Sequence, residues 1–270
     1  DRESRRTMAR RIAVGVDVGG SGIKVAAVDV ETSEFVSTRL RIATPDPSTP
    51  AAVVATIGRL VRRVLKEEGV PDDVPVGVGV PTVVLDGVSQ LASNIDEGWI
   101  GFEIEKALSK ALKRPVLVLN DADAAGLAEM RFGAGRDKAG TVVVLTLGTG
   151  VGSGLFRDGR LVPNTEFGQM EIRGRPAERR SAAAARTRRG LSWKAWTTDL
   201  DEHIDRIDQL IWPNLIILGG GVSKRAEKFV PRLTSRVPVI PATLLNDAGI
   251  VGAAMAAAER ADTDPGKTGA

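Results

Sequence analysis

The spacing of hydrophobic residues in the first half of the chain predicts three strands followed by alternating helices and strands. From Ile12 to Val18, hydrophobic side chains occupy every second position, as they do in a buried strand. Thr49 and Pro50 are residue types that begin a helix, as its N-cap and its first turn. The predicted elements are, in order, strands at 11–18, 23–30 and 35–43, a helix from 49 to 69, a strand at 76–80, a helix at 102–113 and a strand at 115–119. This order describes one complete α/β lobe.

The pattern begins again in the second half. The predicted elements are strands at 141–147 and 153–157, a helix at 201–211, a strand at 214–218, a helical segment at 223–230, a strand at 237–241 and a helix at 247–259. Because a glycine-rich turn joins the first two strands of each half, the halves have the pattern of a degenerate duplication with a period of about 130 residues. We therefore predict an α/β fold of two lobes with a central cleft, which is where ligands of such folds bind.

The boundaries of the two lobes follow from this pattern. We expect the first, smaller lobe to span residues 11–121 and the second to span 122–246, with the helix at 247–260 packed back on the first lobe. Residues 1–10 and 261–270 are polar and carry no hydrophobic pattern, so we expect them to be disordered. With 270 residues, 43% of them hydrophobic, the chain is long enough to bury a core in this fold.

The turn between the first two strands reads Asp17-Val-Gly-Gly-Ser-Gly-Ile-Lys24. Its glycines let backbone N–H groups approach a phosphate, its serine adds a hydroxyl donor and its lysine adds a positive charge. The candidate phosphate-binding residues are Gly19, Gly20, Ser21, Gly22 and Lys24. Asp17 is a candidate for holding Mg²⁺ through water, because this cation prefers oxygen ligands. The spacing is not that of a Walker A loop, and an ordinary hairpin turn is the alternative.

A second glycine-rich loop occupies the equivalent place in the second half, as Gly148-Thr-Gly-Val-Gly-Ser-Gly154. Four glycines in seven residues would weaken the flanking strands unless the loop had a function. Thr149 and Gly150 are its candidate phosphate-binding residues. Two such loops in symmetric positions favour a phosphate site over two ordinary turns.

A third glycine-rich turn, Gly219-Gly220-Gly221, joins a predicted strand to a helical segment. Glycines at such a turn let the backbone lie close to a ligand. The sequence leaves two interpretations open: the turn passes under a nucleotide, or it only connects the two elements.

Asp121 follows a hydrophobic strand and precedes a helix, so it should lie at the carboxyl end of the strand and face the cleft. Phosphoryl transfer needs a group that orients the acceptor hydroxyl and takes its proton, and Asp121 fits that role. The alternative is that Asp121 is only the N-cap of the following helix. Asp123, in the first turn of that helix, is expected at the surface.

Two polar segments contain residue types that bind sugar hydroxyls. Ser93 and Asn94 lie in a loop, where an Asx turn is the alternative. Glu166 and Gln169 combine a carboxylate with an amide, which together can bind neighbouring hydroxyls. A simple turn at Gly168 is the alternative for the second segment.

The composition narrows the chemistry. The chain has no cysteine and a single histidine, so disulfides and thiolate or His-cluster metal sites are excluded, and acid–base chemistry falls to carboxylates or lysine. His203 lies in an acid-rich helical stretch and is expected at the surface. No hydrophobic run is long enough to span a membrane and the first residues lack a secretory signal pattern, so we expect a cytoplasmic protein.

Positive charge is concentrated in one stretch. The formal net charge is only +3, but residues 173–194 contain eight Lys/Arg and one acid, Glu178. Such a stretch attracts polyanions, and a solvated surface is the alternative interpretation.

Together, the segments DVGGSGIK, NDADAA, LGTGVG and LGGGVS resemble the ROK family of bacterial sugar kinases, in the family's order, over roughly residues 11–260. The resemblance implies the actin/hexokinase-like (ribonuclease H-like) fold and makes Asp121 the catalytic base at the sugar 6-hydroxyl. It also implies that a set of polar residues lines the sugar, namely Ser93, Asn94, Asn120, Glu166 and Gln169. The family's cysteine zinc motif is absent and Gln169 replaces its usual histidine. With these two differences and with its MEIRG and LSW segments, the chain resembles the polyphosphate glucokinase branch of the family. That branch includes polyphosphate/ATP glucomannokinases.

This resemblance implies a reaction. The enzyme would transfer a phosphoryl group from inorganic polyphosphate, and also from ATP, to the 6-hydroxyl of glucose, with mannose as a further acceptor, Mg²⁺ as cofactor, no zinc and a homodimeric state. We expect the arginines between 173 and 189 to guide polyphosphate.

The sequence has three alternative interpretations. One is an ATP-only kinase of another hexose or an amino sugar. A sugar-responsive repressor needs a DNA-binding segment before the first strand at residue 12, so we expect no nucleic-acid partner. An actin- or Hsp70-like ATPase would leave Asp121 unexplained.

Overall fold

The computed structural model describes residues 10–92 and 96–263, so the candidate sugar-binding residues Ser93 and Asn94 lie outside the described residues. The strands are β1 (Ile12–Gly19), β2 (Gly22–Asp29), β3 (Leu40–Ile42), β4 (Val76–Val80), β5 (Val84–Leu85), β6 (Val88–Ser89), β7 (Val116–Asn120), β8 (Thr141–Leu147), β9 (Val151–Arg157), β10 (Arg160–Val162), β11 (Glu171–Ile172), β12 (Arg175–Pro176), β13 (Leu215–Gly219) and β14 (Val239–Pro241). The helices are α1 (Pro50–Val64), α2 (Ile104–Leu112), α3 (Asp121–Phe132), α4 (Glu178–Ser181), α5 (Ala183–Arg188), α6 (Trp193–Ile211) and α7 (Ala248–Thr263). Short 3-10 helices lie at Glu97–Trp99, Phe167–Gln169, Gly221–Lys228 and Val230–Arg232.

The two large sheets share one topology. The first has the strand order β3-β2-β1-β4-β7 and the second has the order β10-β9-β8-β13-β14. In each sheet the first three strands are antiparallel, and two further strands run parallel to the central one. The repeated order of elements therefore matches the sequence prediction, and each glycine-rich loop joins the equivalent pair of strands.

Helices on the outer face of each sheet complete the two main cores. On the first sheet, α1 buries Val53, Ile57 and Val61 against strand residues such as Val16. Thr49 caps α1 as predicted, since its side chain accepts a hydrogen bond from the backbone of the first turn. On the second sheet, α6 buries a continuous hydrophobic stripe that includes Trp196, Leu200, Ile204 and Ile207.

Helix α7 packs closely against the inner side of the first sheet and against α3. Small residues make this approach possible, because a Cβ atom at Gly15 would clash with the carbonyl of Ile250. A Cβ at Gly252 of α7 would clash in the same way with the carbonyl of Ala124 in α3. The helix therefore lies directly behind the strand end that carries Asp17.

Several predicted elements have different lengths in the structure. The third strand is only Leu40–Ile42, because Phe35 makes an isolated bridge and no continuous ladder. Helix α6 begins at Trp193 rather than near residue 201, since the Ser192 side chain caps it there. In the part of the chain that the structure describes, no helix has both the length and the hydrophobicity needed to cross a membrane.

Candidate active site

The two glycine-rich loops face each other across a cavity of about 300 Å³. The β1–β2 turn lies on one wall and the β8–β9 loop on the other, close enough that a Cβ at Gly20 would lie 3.2 Å from Thr149 Oγ1. Most of the predicted site residues line this cavity, namely Asp17, Gly19, Gly20, Ser21, Lys24, Asn120, Asp121, Thr149, Gly150, Glu166, Gln169, Gly220 and Gly221. Gly22 and Gly219 do not line it.

Asp17 and Lys24 form an ion pair at the wall that the β1–β2 turn provides. They are cross-strand partners in the β1–β2 ladder, and Lys24 Nζ lies 2.6 Å from Asp17 Oδ2. Both side chains are mostly buried, so the charge of Lys24 is partly compensated before any phosphate arrives. Arg41 on β3 donates to the carbonyl of Ser21 and adds a second cation beside the same turn.

Asp121 begins α3 but does not cap it. The cap is Asn120, whose Oδ1 accepts from the N–H groups of Ala122 at 2.8 Å and Asp123 at 3.1 Å. The interpretation of Asp121 as an N-cap is therefore wrong, and its carboxyl lines the cleft. Burial first, and then the negative charges of neighbouring acids including Asp17, raise the pKa of Asp121 to about 8.

The expectation that Asp123 lies at the surface is wrong. Its exposure is only 1%, because its side chain points from α3 into the loop that follows β10. Asp123 Oδ2 accepts a hydrogen bond from the backbone N–H of Asn164 at 2.8 Å, while its buried Oδ1 has no partner within the described chain. Burial, reinforced by the charge of Glu166, raises the pKa of Asp123 to about 7.

Asn164 connects two segments that are distant in sequence, namely the start of α3 and strand β5. Its Oδ1 accepts from the N–H of Val84 at 3.1 Å and its Nδ2 donates to the carbonyl of Val84 at 3.0 Å. The backbone of Asn164 has φ of 61°, which asparagine adopts more readily than most residues. This residue was not predicted from the sequence, where only the isolated asparagine after β10 could have indicated it.

The turn that carries Glu166 is held through both backbone groups of Phe167, the residue that follows it. The N–H of Phe167 donates to Ser153 Oγ on β9 at 2.9 Å, and the carbonyl of Phe167 lies 3.0 Å from His203 Nε2. Burial, together with the charge of Glu178, raises the pKa of Glu166 to about 7. Glu166 and Gln169 are thereby placed on the same side of the cleft as Asp121.

The expectation that His203 is a surface residue is also wrong, since it is fully buried. Burial lowers its pKa, although the bond to Phe167 and the charge of Glu178 oppose this effect. Because a carbonyl can only accept, His203 Nε2 carries the proton in its contact with Phe167. Nδ1 lies 2.9 Å from Ser181 Oγ, so His203 joins α6 to α4 and to the Glu166 turn.

The basic stretch supports the second glycine loop. The carboxylate of Glu178 accepts from the N–H of Val151 at 3.0 Å, and the N–H of Ala184 donates to the carbonyl of Gly148 at 3.0 Å. Glu178 also lines the cleft beside Glu166. These hydrogen bonds connect α4 and α5 to the β8–β9 loop.

Comparisons with known proteins identify the class of enzyme that this cleft belongs to. The sequence pattern that defines the ROK family matches residues 13–172, and the chain belongs to this family. It is 44% identical over 255 residues to a polyphosphate glucokinase of Mycobacterium tuberculosis strain H37Rv, and the match covers 94% of each chain.

Two solved structures of sugar kinases are similar to this chain over most of its length. The inorganic polyphosphate/ATP-glucomannokinase from Arthrobacter sp. strain KM has a TM-score of 0.90 and 44% identity, over 92% of this chain and 99% of that one. A ROK family glucokinase from Streptomyces griseus in complex with glucose and AMPPNP has a TM-score of 0.78 and 25% identity, over 92% and 99% of the chains. The predicted actin/hexokinase-like fold is thereby confirmed.

Proposed function

We propose that this protein transfers the terminal phosphoryl group of inorganic polyphosphate, and of ATP, to the 6-hydroxyl of glucose, with mannose as a second acceptor. The similarity to polyphosphate glucokinases and to a glucomannokinase over nearly the whole chain supports this substrate pair. The observation that carries the mechanism is the position of Asp121, whose half-buried side chain lies in one cleft with both glycine-rich loops.

The donor side consists of backbone and small polar groups. The β1–β2 turn offers N–H groups around Ser21, and the β8–β9 loop offers the Thr149 hydroxyl and neighbouring N–H groups. Lys24 adds a positive charge against the phosphate oxygens, at the cost of weakening its pair with Asp17. Preorganised donors of this kind stabilise the charge that spreads over the transferred group.

The acceptor side consists of carboxylates and amides. Glu166, Gln169 and Asn120 are placed to bind sugar hydroxyls, and Glu178 lies beside them. Asp121 would orient the 6-hydroxyl toward the donor and take its proton as the oxygen–phosphorus bond forms. A pKa near 8 matches this role, because the carboxylate then holds a transferred proton readily. Ser93 and Asn94 remain predicted sugar ligands.

The residues of the cleft fit a magnesium ion that is shared with the donor. Mg²⁺ usually keeps several waters and is held by one or two carboxylates together with substrate phosphates. Asp17 provides one carboxylate on the phosphate wall, and within residues 10–92 and 96–263 no cluster of three acidic or histidine side chains forms a complete protein site. When bound, the ion would neutralise charge on the donor oxygens.

A donor-swap assay tests the proposal. Glucose 6-phosphate formation would be measured with long-chain polyphosphate and with ATP, each with and without Mg²⁺, and with Asp121→Asn alongside. We expect both donors to work, chelation to abolish activity, and the variant to lose about 10²- to 10⁴-fold in kcat. Full activity of Asp121→Asn would rule out the base. Activity with ATP alone would favour a kinase that uses only nucleotide.

The setting of the reaction follows from its substrates. Free glucose and phosphoryl donors meet in the cytoplasm, which we propose as the place of action. A homodimer remains a prediction from the family resemblance, and light scattering of the purified chain would test it.

A further inference from the structure

A cation-bearing aromatic stack lies beside the second glycine loop. The Trp193 ring is stacked on Phe229, with ring centroids 5.9 Å apart and planes 10° from parallel. The guanidinium of Arg186 covers Trp193, with its carbon 4.1 Å from the ring centroid, and Lys228 Nζ lies 5.9 Å from that centroid. We call Arg186, Trp193, Lys228 and Phe229 the Trp193 stack. It holds two positive charges next to one ring.

Arg186 of the basic stretch (residues 173–194) and Lys228, which lies outside it, differ from three arginines of that stretch. Arg173 pairs with Glu202, and Arg180 and Arg189 both pair with Asp199. Within the described residues, Arg186 and Lys228 have no carboxylate partner, and Arg186 Nη1 donates only to the carbonyl of Leu191 at 3.2 Å. Three arginines of the basic stretch already have acidic partners. We therefore restrict the prediction that this stretch guides a polyanion, and consider Arg186 together with Lys228.

The stack adjoins the donor wall without lining it. Ala184, two residues before Arg186, donates its N–H to the carbonyl of Gly148 in the glycine loop. The 3-10 helix that ends at Lys228 begins at Gly221, which lines the cleft. A linear donor leaving the cleft on this side would therefore meet the two cations after its reacting phosphates are already bound.

We propose that the Trp193 stack is an outer donor subsite, in which Arg186 and Lys228 bind phosphates of a long polyphosphate beyond those held by the glycine loops. The inference rests on the proposed function. Stacking on Trp193 holds the planar guanidinium of Arg186 in place, so a phosphate can be bound with less loss of side-chain freedom. Two unpaired cations near each other repel, and a polyanion that binds both relieves this repulsion.

An outer subsite predicts that its loss raises KM for a long donor and leaves KM for short donors nearly unchanged. Initial rates at saturating glucose and low salt would be measured with long-chain polyphosphate, tripolyphosphate and ATP. For Arg186→Gln and Lys228→Gln we expect KM for long-chain polyphosphate to rise about tenfold, while KM for the two short donors changes less than about twofold. Added salt should shrink the difference between variant and wild type, because it screens the exposed charges.

Arg63→Gln is the matched control. Arg63 is an exposed arginine in the last turn of α1, on the other sheet, and its loss removes the same charge far from the stack. An unchanged kcat with ATP would show that each variant is folded. Lys228 is exposed and its replacement leaves the ring packing intact, so it tests the subsite even if Arg186→Gln is unstable.

Two results would overturn the subsite. One is an equal KM change in Arg63→Gln and in both stack variants, and the other is an equal change for long and short donors. If the wild-type protein itself cannot use polyphosphate, the proposed donor is wrong and the subsite falls with it. If the wild type uses polyphosphate and the variants match it, only the subsite is wrong.

Discussion

Asp123 Oδ2 accepts a hydrogen bond from the backbone N–H of Asn164 at 2.8 Å, and the side chain of Asn164 bonds in both directions to the backbone of Val84. This connection joins the helix that begins at Asp121 to the loop that carries Glu166 and to the β5–β6 hairpin. Elements from both halves of the chain are thereby held in one arrangement around the sugar side of the cleft.

Replacing Asn164 with glycine should weaken glucose binding more than donor binding. Glycine accepts the positive φ and keeps the N–H that bonds Asp123, so only the two bonds to Val84 are lost. Each such bond contributes about 1 kcal/mol, so we expect KM for glucose to rise about 5- to 30-fold with kcat nearly unchanged. Steady-state kinetics with each substrate varied in turn would measure this.

A glycine substitution at another position of positive φ, away from the cleft, is a suitable control. Asp137, an exposed residue in the loop that follows α3, also has a positive φ, and Asp137→Gly should leave KM for glucose unchanged. Equal effects of the two variants would contradict a specific role for Asn164.

The enzyme's activity should increase as the pH is raised from about 6 to 8. The pKa of Asp121 is raised to about 8 by burial and neighbouring acids, so the base form becomes more abundant as pH increases from about 6 to 8. We expect kcat/KM for glucose, which reports the free enzyme, to increase over this range. Glu166 and Asp123 titrate close by, so the profile belongs to the group of carboxyls rather than to one of them.

The Asp121→Asn variant separates the base from its neighbours. Its remaining activity should lack the part of the rise that belongs to Asp121, although Glu166 still titrates. A profile of unchanged shape in this variant would show that Asp121 does not set the pH dependence.

Asp123→Asn should change how stability depends on pH. The folded pKa of Asp123, about 7, is above its ordinary value of 3.8, so the fold favours the protonated form. The corresponding stabilisation is complete below about pH 4 and is lost as pH rises through about 7. Relative to wild type, the asparagine variant should therefore be more stable at pH 8 than at pH 4, as measured by urea unfolding at both values. A constant difference between the two proteins would mean that Asp123 titrates normally.

Removing the His203 side chain should destabilise the fold and loosen the sugar turn. His203→Ala leaves the carbonyl of Phe167 and the hydroxyl of Ser181 without this buried partner and opens a cavity, with an expected cost of about 2–4 kcal/mol in the free energy of unfolding. Because Phe167 follows Glu166, KM for glucose should rise while KM for ATP stays nearly constant. Ser181→Ala, which keeps the Phe167 contact, should affect stability but not KM for glucose.

The sequence predicted the sheets and the glycine loops because both depend on local patterns. Alternating hydrophobic residues and glycine turns were sufficient to place most strands, including β1, β4 and β8. Helix caps and side-chain burial were harder to predict from the sequence. Asn120 rather than Asp121 caps α3, and Asp123 is buried only because of tertiary packing.

The sequence did contain an indication that His203 is buried, but the acidic residues around it favoured a surface position. It stands between Leu200, Ile204 and Ile207 at helical spacing, on the stripe of α6 that faces the second sheet. The contacts of Asn164 and Glu178 could not be predicted, because they join segments far apart in sequence, whose approach depends on the folded arrangement.

Helix α7 has a consequence for the order in which the enzyme is made. It backs onto the catalytic cleft so closely that a Cβ at Gly249 would lie 2.8 Å from the carboxyl carbon of Asp17. Every strand of both sheets leaves the ribosome before residues 248–263 do. The growing chain therefore has its glycine loops before it has the helix that packs behind Asp17, and we expect phosphoryl transfer to be acquired only after this helix has been synthesised.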